Sequence, residues 1–173
     1  MMKKSKRSDV DPFIVMDVME SARIAEEKGK DIIHMEVGQP GTPAPKIAKD
    51  YITNEINKNN LGYTVSLGLP DLRTKISKLY GDWYNLDLNP NRIVVTTGSS
   101  GAFILSFSAL FDSGDRVGIG SPSYPSYRQI LKSLSLETVD IQTKLQNRFQ
   151  PVPEDITNNN LNGILVASPA NPT

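Results

Sequence analysis

The fold is decided by residues 93–119, IVVTTGSSGAFILSFSALFDSGDRVGI. The β-branched run at 93–96 predicts a strand, and small residues follow it. The apolar run at 102–110 predicts a helix, and residues 116–119 predict a second strand. Strands and helices that alternate in this way form a mostly parallel sheet, so the stretch predicts an α/β domain.

The flanking sequence continues the alternation. After residue 119 we expect a helix at 126–133, a strand at 138–141, a short turn of helix near 153–156 and a strand from Gly163. Before residue 93 we expect a helix at 12–28, a strand at 32–37, a helix at 45–58, a loop at 59–69 and a helix from Pro70. The last helix is expected to bury Leu72, Ile76, Leu79 and Trp83, which lie on one face.

The composition excludes several classes of function. Lys+Arg and Asp+Glu each number 19, so no basic excess points to nucleic acid or to an anionic membrane. Cysteine is absent and His34 is the single histidine, which argues against a metal site or a cysteine nucleophile. The missing cysteines fit a cytoplasmic protein. The basic start, Lys3–Arg7, lacks the apolar run of a signal peptide and is expected to be a mobile tail.

Ligands of parallel α/β sheets bind beyond the carboxyl ends of the strands. The strands at 93–96, 116–119 and from Gly163 are therefore expected to deliver their loops to one edge. These loops are 97–102 (TGSSGA), 121–127 (SPSYPSY) and 168–173 (SPANPT).

Each loop offers a different chemistry. Small residues that enter a helix at 97–102 can expose N–H groups to a phosphate, although many such segments are only turns. Tyr124, between two prolines, can stack on a flat heteroaromatic ring; alternatively, Tyr124 and Tyr127 only pack the loop down. Asn171 can donate a hydrogen bond to an anionic oxygen, or it can simply form a turn. Together the three loops favour a flat phosphorylated ligand, with pyridoxal phosphate as the first candidate.

With these motifs the chain resembles the N-terminal part of class I/II aminotransferases, the pyridoxal-phosphate enzymes of fold type I. The resemblance extends from Pro12 to Thr173. It depends on five motifs in a fixed order, namely 37–40 (VGQP), 62–73 (GYTVSLGLPDLR), 97–102 (TGSSGA), 122–125 (PSYP) and 168–173 (SPANPT).

The resemblance implies a role for each matching residue. Ser99, Ser100 and Gly101 match the turn that holds the cofactor phosphate. Tyr124 matches the ring that stacks on the pyridine, and Asn171 the amide that hydrogen-bonds the phenolic oxygen. Gly38 matches a backbone donor near the substrate carboxylate. Tyr63 matches a tyrosine that reaches the phosphate of the neighbouring subunit, which implies a homodimer, whereas His34 matches no family role and is interpreted as structural.

The resemblance also implies an incomplete three-layer αβα large domain. Residues 1–44 would be the N-terminal helix, first strand and substrate loop, which form part of the small domain and the inter-domain arm. Residues 45–173 would be the first part of the cofactor-binding large domain. No lysine up to Lys144, the last one, matches the Schiff-base lysine, so no catalytic residue is assigned. The chain ends inside a ligand-facing motif, and we expect it to be a portion of a longer enzyme and inactive alone.

Three functions therefore stay open. The resemblance favours an aminotransferase that acts on an amino acid and a 2-oxo acid. A lyase or decarboxylase of the same family would use the same cofactor site. The third possibility is a non-catalytic fragment that binds the cofactor or a partner.

Overall fold

A computed structural model describes residues 3–58 and 60–173, and its contacts divide the chain into two compact units. One unit combines Met1–Asp17 with Thr97–Thr173, and the other is Val18–Thr96. The predicted division after residue 44 concerns the domains of a whole enzyme and stays a prediction. Asn59, the start of the predicted loop, lies outside the described residues.

Most of the predicted elements are present. The regular elements in chain order are α1 (Ile14–Glu27), α2 (Lys46–Ile56), α3 (Pro70–Tyr84), α4 (Gly98–Leu110), β1 (Arg116–Ser121), α5 (Pro125–Ser133), β2 (Glu137–Gln142), α6 (Pro153–Asn158) and β3 (Gly163–Leu165). Short 3-10 turns lie at Lys6–Ser8, Pro90–Arg92 and Leu145–Asn147. None of the helices in the described ranges has the length and apolar character that a bilayer crossing requires.

The first unit contains a three-stranded sheet in the order β2-β1-β3. Both pairs are parallel, with Val117 opposite Thr138 on one side and opposite Gly163 on the other. The predicted α/β class with a parallel sheet is thereby confirmed.

The hydrophobic core of this unit lies on one face of β1. Val117 and Ile119 are each 1% exposed and point to the same side, because side chains alternate along a strand. They pack in one cluster with Leu131 of α5 and Phe107 of α4. The opposite face carries Gly118, where a Cβ would lie 2.7 Å from Leu161 Cδ1. The sheet is therefore packed on both faces, which fixes the positions of the loops at its ends.

Two predicted strands are wrong. Residues 32–37 and 93–96 belong to no strand of the described chain, and Glu36 and Val37 lie in a bend. In the second run, the Val95 N–H donates to the Leu67 carbonyl oxygen at 3.0 Å, and Leu67 lies in a loop. β-branched residues favour an extended backbone, but a strand also needs a neighbouring strand to receive its hydrogen bonds.

The helices of the second unit form as predicted, but the expected burial on α3 is wrong. Leu72, Leu79 and Trp83 are 43%, 40% and 68% exposed, and Ile76 is half-buried. The buried residue of this helix is Arg73, whose Nη1 donates to the Pro90 carbonyl oxygen at 3.2 Å. The apolar spacing predicted the helix correctly, while burial depends on what covers that face.

Candidate cofactor site

Two of the three predicted loops leave the sheet at the same edge. Because β1 and β3 are parallel neighbours, the segments after Ser121 and after Leu165 emerge side by side. They line a small cleft of about 20 Å³, with Pro122 and Ser123 on one side and Asn171 on the other. A space of this size holds about one water molecule, so a larger ligand would have to lie outside it, against the exposed loops.

The first turn of α4 lies towards this same edge. At the far end of α4, the Phe111 ring approaches Gly163, where β3 begins. Nearer its start, Phe103 makes an edge-to-face contact with Tyr127, in the first turn of α5 just beyond β1, with ring centroids 5.2 Å apart. α4 therefore runs antiparallel to β1 and β3, although residues 93–96 before it are not in the sheet.

The predicted phosphate loop is the first helical turn of α4. The helix begins at Gly98 rather than at the predicted residue 102, so Ser99, Ser100 and Gly101 are helical. Thr97, the residue before the helix, makes no side-chain capping hydrogen bond, and Ser99 and Ser100 are exposed. A helix start of this kind combines N–H donors, hydroxyl groups and a positive dipole end. It suits a phosphate group.

Gly98 keeps that turn open. Its φ angle is +75°, a conformation that glycine adopts without strain, and a Cβ built there would meet no atom within 4 Å. The surface above the helix start is therefore unobstructed at this residue.

Tyr124 lies within a chain of aromatic rings, between Phe13 and Tyr127. It precedes α5 and makes edge-to-face contacts with Tyr127 (5.5 Å between centroids) and with Phe13 (6.0 Å). Phe13, which the sequence did not single out, comes from the N-terminal segment. Tyr124 is half-buried, so packing and a remaining exposed surface coexist in the same ring.

Replacing Tyr124 tests its packing role. We expect Tyr124→Leu to lower the free energy of unfolding by about 1 kcal/mol more than Tyr124→Phe, since each aromatic pair contributes about 0.5–1.5 kcal/mol beyond burial. Urea unfolding of both variants measures the difference. Equal losses would show that the ring contacts contribute nothing specific.

The charged group on the exposed side of α5 is already paired. Both terminal nitrogens of Arg128 bond to Asp140 on β2, one of them at 2.9 Å. The pKa of Arg128 is raised above its usual value, mainly by the hydrogen bond to Asp140. Arg128 therefore serves the contact between α5 and β2.

Five of the predicted site residues thus belong to one edge of the first unit: Ser99, Ser100, Gly101, Tyr124 and Asn171. Gly38 and Tyr63 belong to the second unit, where both are exposed. Tyr63 lines an open depression with Tyr51, Glu55 and Leu69. The roles predicted for these seven residues stay predictions.

Comparison with known proteins gives a consistent result. A family model described as aminotransferase class I and II matches residues 30–173. Valine–pyruvate aminotransferase of Mycobacterium tuberculosis is 43% identical over 169 residues, which cover 96% of this chain and 44% of that protein. Aspartate aminotransferase of Thermotoga maritima is 33% identical over 163 residues, covering 91% and 43%.

Solved structures agree with the sequence relatives. The crystal structure of an aminotransferase from Mycobacterium tuberculosis has a TM-score of 0.93 and 41% identity, and the match covers 100% of this chain and 45% of that one. The chain therefore spans less than half the length of the relatives it matches. The family match and the shared fold together show that the chain belongs to the class I and II aminotransferases.

Proposed function

We propose that the chain is the N-terminal portion of a pyridoxal-phosphate-dependent aminotransferase, which transfers an amino group between an amino acid and a 2-oxo acid. The observation that carries the proposal is the position of the α4 helix start at the same sheet edge as Tyr124 and Asn171. A phosphate site, an aromatic ring and an amide at one edge match the parts of a phosphorylated pyridine.

The phosphate end of the cofactor fits the first turn of α4. The exposed Ser99 and Ser100 supply hydroxyl donors, and the turn ends at the half-buried Gly101. Backbone N–H groups at a helix start need acceptors, and Thr97 supplies no side-chain cap. A doubly charged phosphate satisfies several such donors at once.

The ring end fits the two loops that follow β1 and β3. We assign the exposed part of the Tyr124 ring to stacking, because its packing against Phe13 and Tyr127 fixes its orientation. We assign Asn171 to a hydrogen bond with the phenolic oxygen, since its amide can donate without carrying a charge.

When bound, pyridoxal phosphate withdraws electrons from the α-carbon of the amino acid substrate. The residues of this chain would bind and orient it. Gly38 would offer a backbone donor to the substrate carboxylate, and Tyr63 would reach the phosphate of a partner subunit in a homodimer. No residue among 1–173 is assigned the proton transfer, and a cytoplasmic location stays a prediction from the sequence.

The test is an assay of the full-length protein with pyridoxal phosphate. Valine and pyruvate come first, because a relative bears that name. Aspartate and aromatic donors follow, and formation of both the new 2-oxo acid and the new amino acid is measured. Product without need for a 2-oxo acid acceptor would favour the lyase or decarboxylase, and cofactor binding without any product would favour the non-catalytic alternative.

Asn171→Ala tests the assigned hydrogen bond. We expect the variant to raise the Kd for pyridoxal phosphate about tenfold, because a hydrogen bond to a charged oxygen contributes about 1.5 kcal/mol or more. Absorbance titration gives the Kd, and Asn158→Ala, an exposed asparagine at the end of α6, is the control. An unchanged Kd for Asn171→Ala would contradict the assignment.

A further inference from the structure

His34 lies between two carboxylates. Its Nδ1 is 2.6 Å from Oε1 of Glu36, and its Nε2 is 2.9 Å from Oε1 of Glu26. Glu26 is on α1, whereas Glu36 belongs to the same connecting segment as His34, at a bend of the chain. The contact therefore joins a helix to a segment that belongs to no helix or strand.

This arrangement determines the protonation of the ring. A neutral imidazole has one N–H and one bare nitrogen, and a bare nitrogen repels a carboxylate oxygen. Only the doubly protonated imidazolium can donate to both glutamates at once. Its positive charge also strengthens both hydrogen bonds.

The contact with Glu36 is the stronger of the two. It is the shorter one, and the Glu36 side chain is 12% exposed, compared with 43% for Glu26. The charged groups that act on His34 are these two carboxylates, and they raise the pKa of His34 to about 9, with the hydrogen bond to Glu36 as the larger cause. The same hydrogen bond lowers the pKa of Glu36.

We propose that His34 is an ion-pair staple, charged at neutral pH, that joins α1 to the segment before Gly38 and thereby positions Gly38. Gly38 lies two residues after Glu36, so fixing the Glu36 side chain limits where the Gly38 N–H can point. The consequence for Gly38 rests on the proposed function, whereas the charged state of His34 does not.

The staple has a defined dependence on pH. An unperturbed histidine has a pKa of about 6.5, which is expected in the unfolded chain. Because the folded value is higher, at about 9, the staple stabilises the protein fully below about pH 6.5. This contribution declines as the pH rises from 6.5 to 9 and is absent above that range.

Nuclear magnetic resonance of the imidazole tests the charged state. In the full-length protein the His34 signal is assigned by its disappearance in His34→Gln. We expect its titration midpoint near pH 9, and a lower midpoint in Glu36→Gln and, to a smaller extent, in Glu26→Gln. The matched control is Glu20→Gln, which removes an α1 carboxylate that pairs with Arg23 and should leave the midpoint unchanged. A wild-type midpoint near 6.5, or a midpoint that neither glutamate variant lowers, would overturn the proposal.

Enzyme kinetics test the positioning of Gly38. We expect His34→Gln to raise KM for the amino donor about tenfold with little change in kcat, since a misplaced binding group costs at least that much. The ratio of the KM of His34→Gln to that of the wild type should fall towards one above pH 9, because His34 of the wild type is itself neutral there. A KM that stays at the wild-type value at pH 7 would overturn the positioning role. An inactive protein with a raised His34 midpoint would instead refute the proposed function and leave the staple standing.

Discussion

Ser100→Asp is expected to raise the Kd for pyridoxal phosphate at least about a hundredfold. The substitution places a negative charge in the first turn of α4, where the phosphate is proposed to bind. It removes a hydroxyl donor and adds like-charge repulsion, and losing one charge-assisted hydrogen bond alone costs about 1.5–3 kcal/mol. The same carboxylate interacts favourably with the helix dipole, by about 0.3–1 kcal/mol. We therefore expect weaker binding in a protein that is as stable as the wild type or more so.

The opposite directions of the two effects make this substitution informative. A loss of binding through misfolding would lower the melting temperature, whereas the proposed site predicts a melting temperature of the cofactor-free protein that is unchanged or raised. Ser100→Asn is the matched control, because asparagine has nearly the same size as aspartate and no charge. It should weaken binding far less. Equal Kd values for the two variants, or an unchanged Kd for Ser100→Asp, would exclude a phosphate at this turn.

The helices could be predicted because their signals are local. Pro70 begins α3, and Gly29, with a φ of +81°, follows the end of α1. The strands of residues 32–37 and 93–96 could not be assigned correctly, because pairing depends on a neighbour that the run itself does not specify. The wrong prediction of burial on α3 has the same origin. The spacing of apolar residues indicates which face of a helix favours burial, but it does not indicate which part of the chain covers that face.

The site could be predicted in part for a similar reason. The rule for parallel strands brings the loops of Tyr124 and Asn171 to one edge, and the structure has both strands as neighbours. The ring contact of Phe13 with Tyr124 joins residues far apart in the sequence, so no spacing rule shows it. The contact of His34 with Glu26 also depends on how the chain turns after α1. Contacts of this kind can be identified only from the folded structure.

Gly68→Ala is expected to lower the free energy of unfolding by about 3 kcal/mol, the largest effect on stability that we predict for a single methyl group. Gly68 is buried in the loop before α3, with a φ of +95°. The left-handed conformation costs an ordinary residue about 1–2 kcal/mol. An added Cβ would also lie 2.6 Å from the Cβ of Val95, an overlap that side-chain rotation cannot relieve, and overpacking costs about 1–3 kcal/mol.

Two other glycines separate these causes. Gly29 has a φ of +81° and open space around it, so Gly29→Ala should show only the conformational cost of about 1–2 kcal/mol. Gly62 has neither a positive φ nor a close neighbour, and Gly62→Ala should change stability by less than about 0.5 kcal/mol. Urea unfolding of the three variants gives the order. If Gly68→Ala lowers the free energy of unfolding no more than Gly29→Ala does, the inferred close approach of Val95 to this loop is contradicted. If all three variants lower the free energy of unfolding by the same amount, the inferred conformational cost at Gly68 is contradicted as well. The expected order would show that the segment 93–96, although not a strand, is packed closely against the loop that leads into α3.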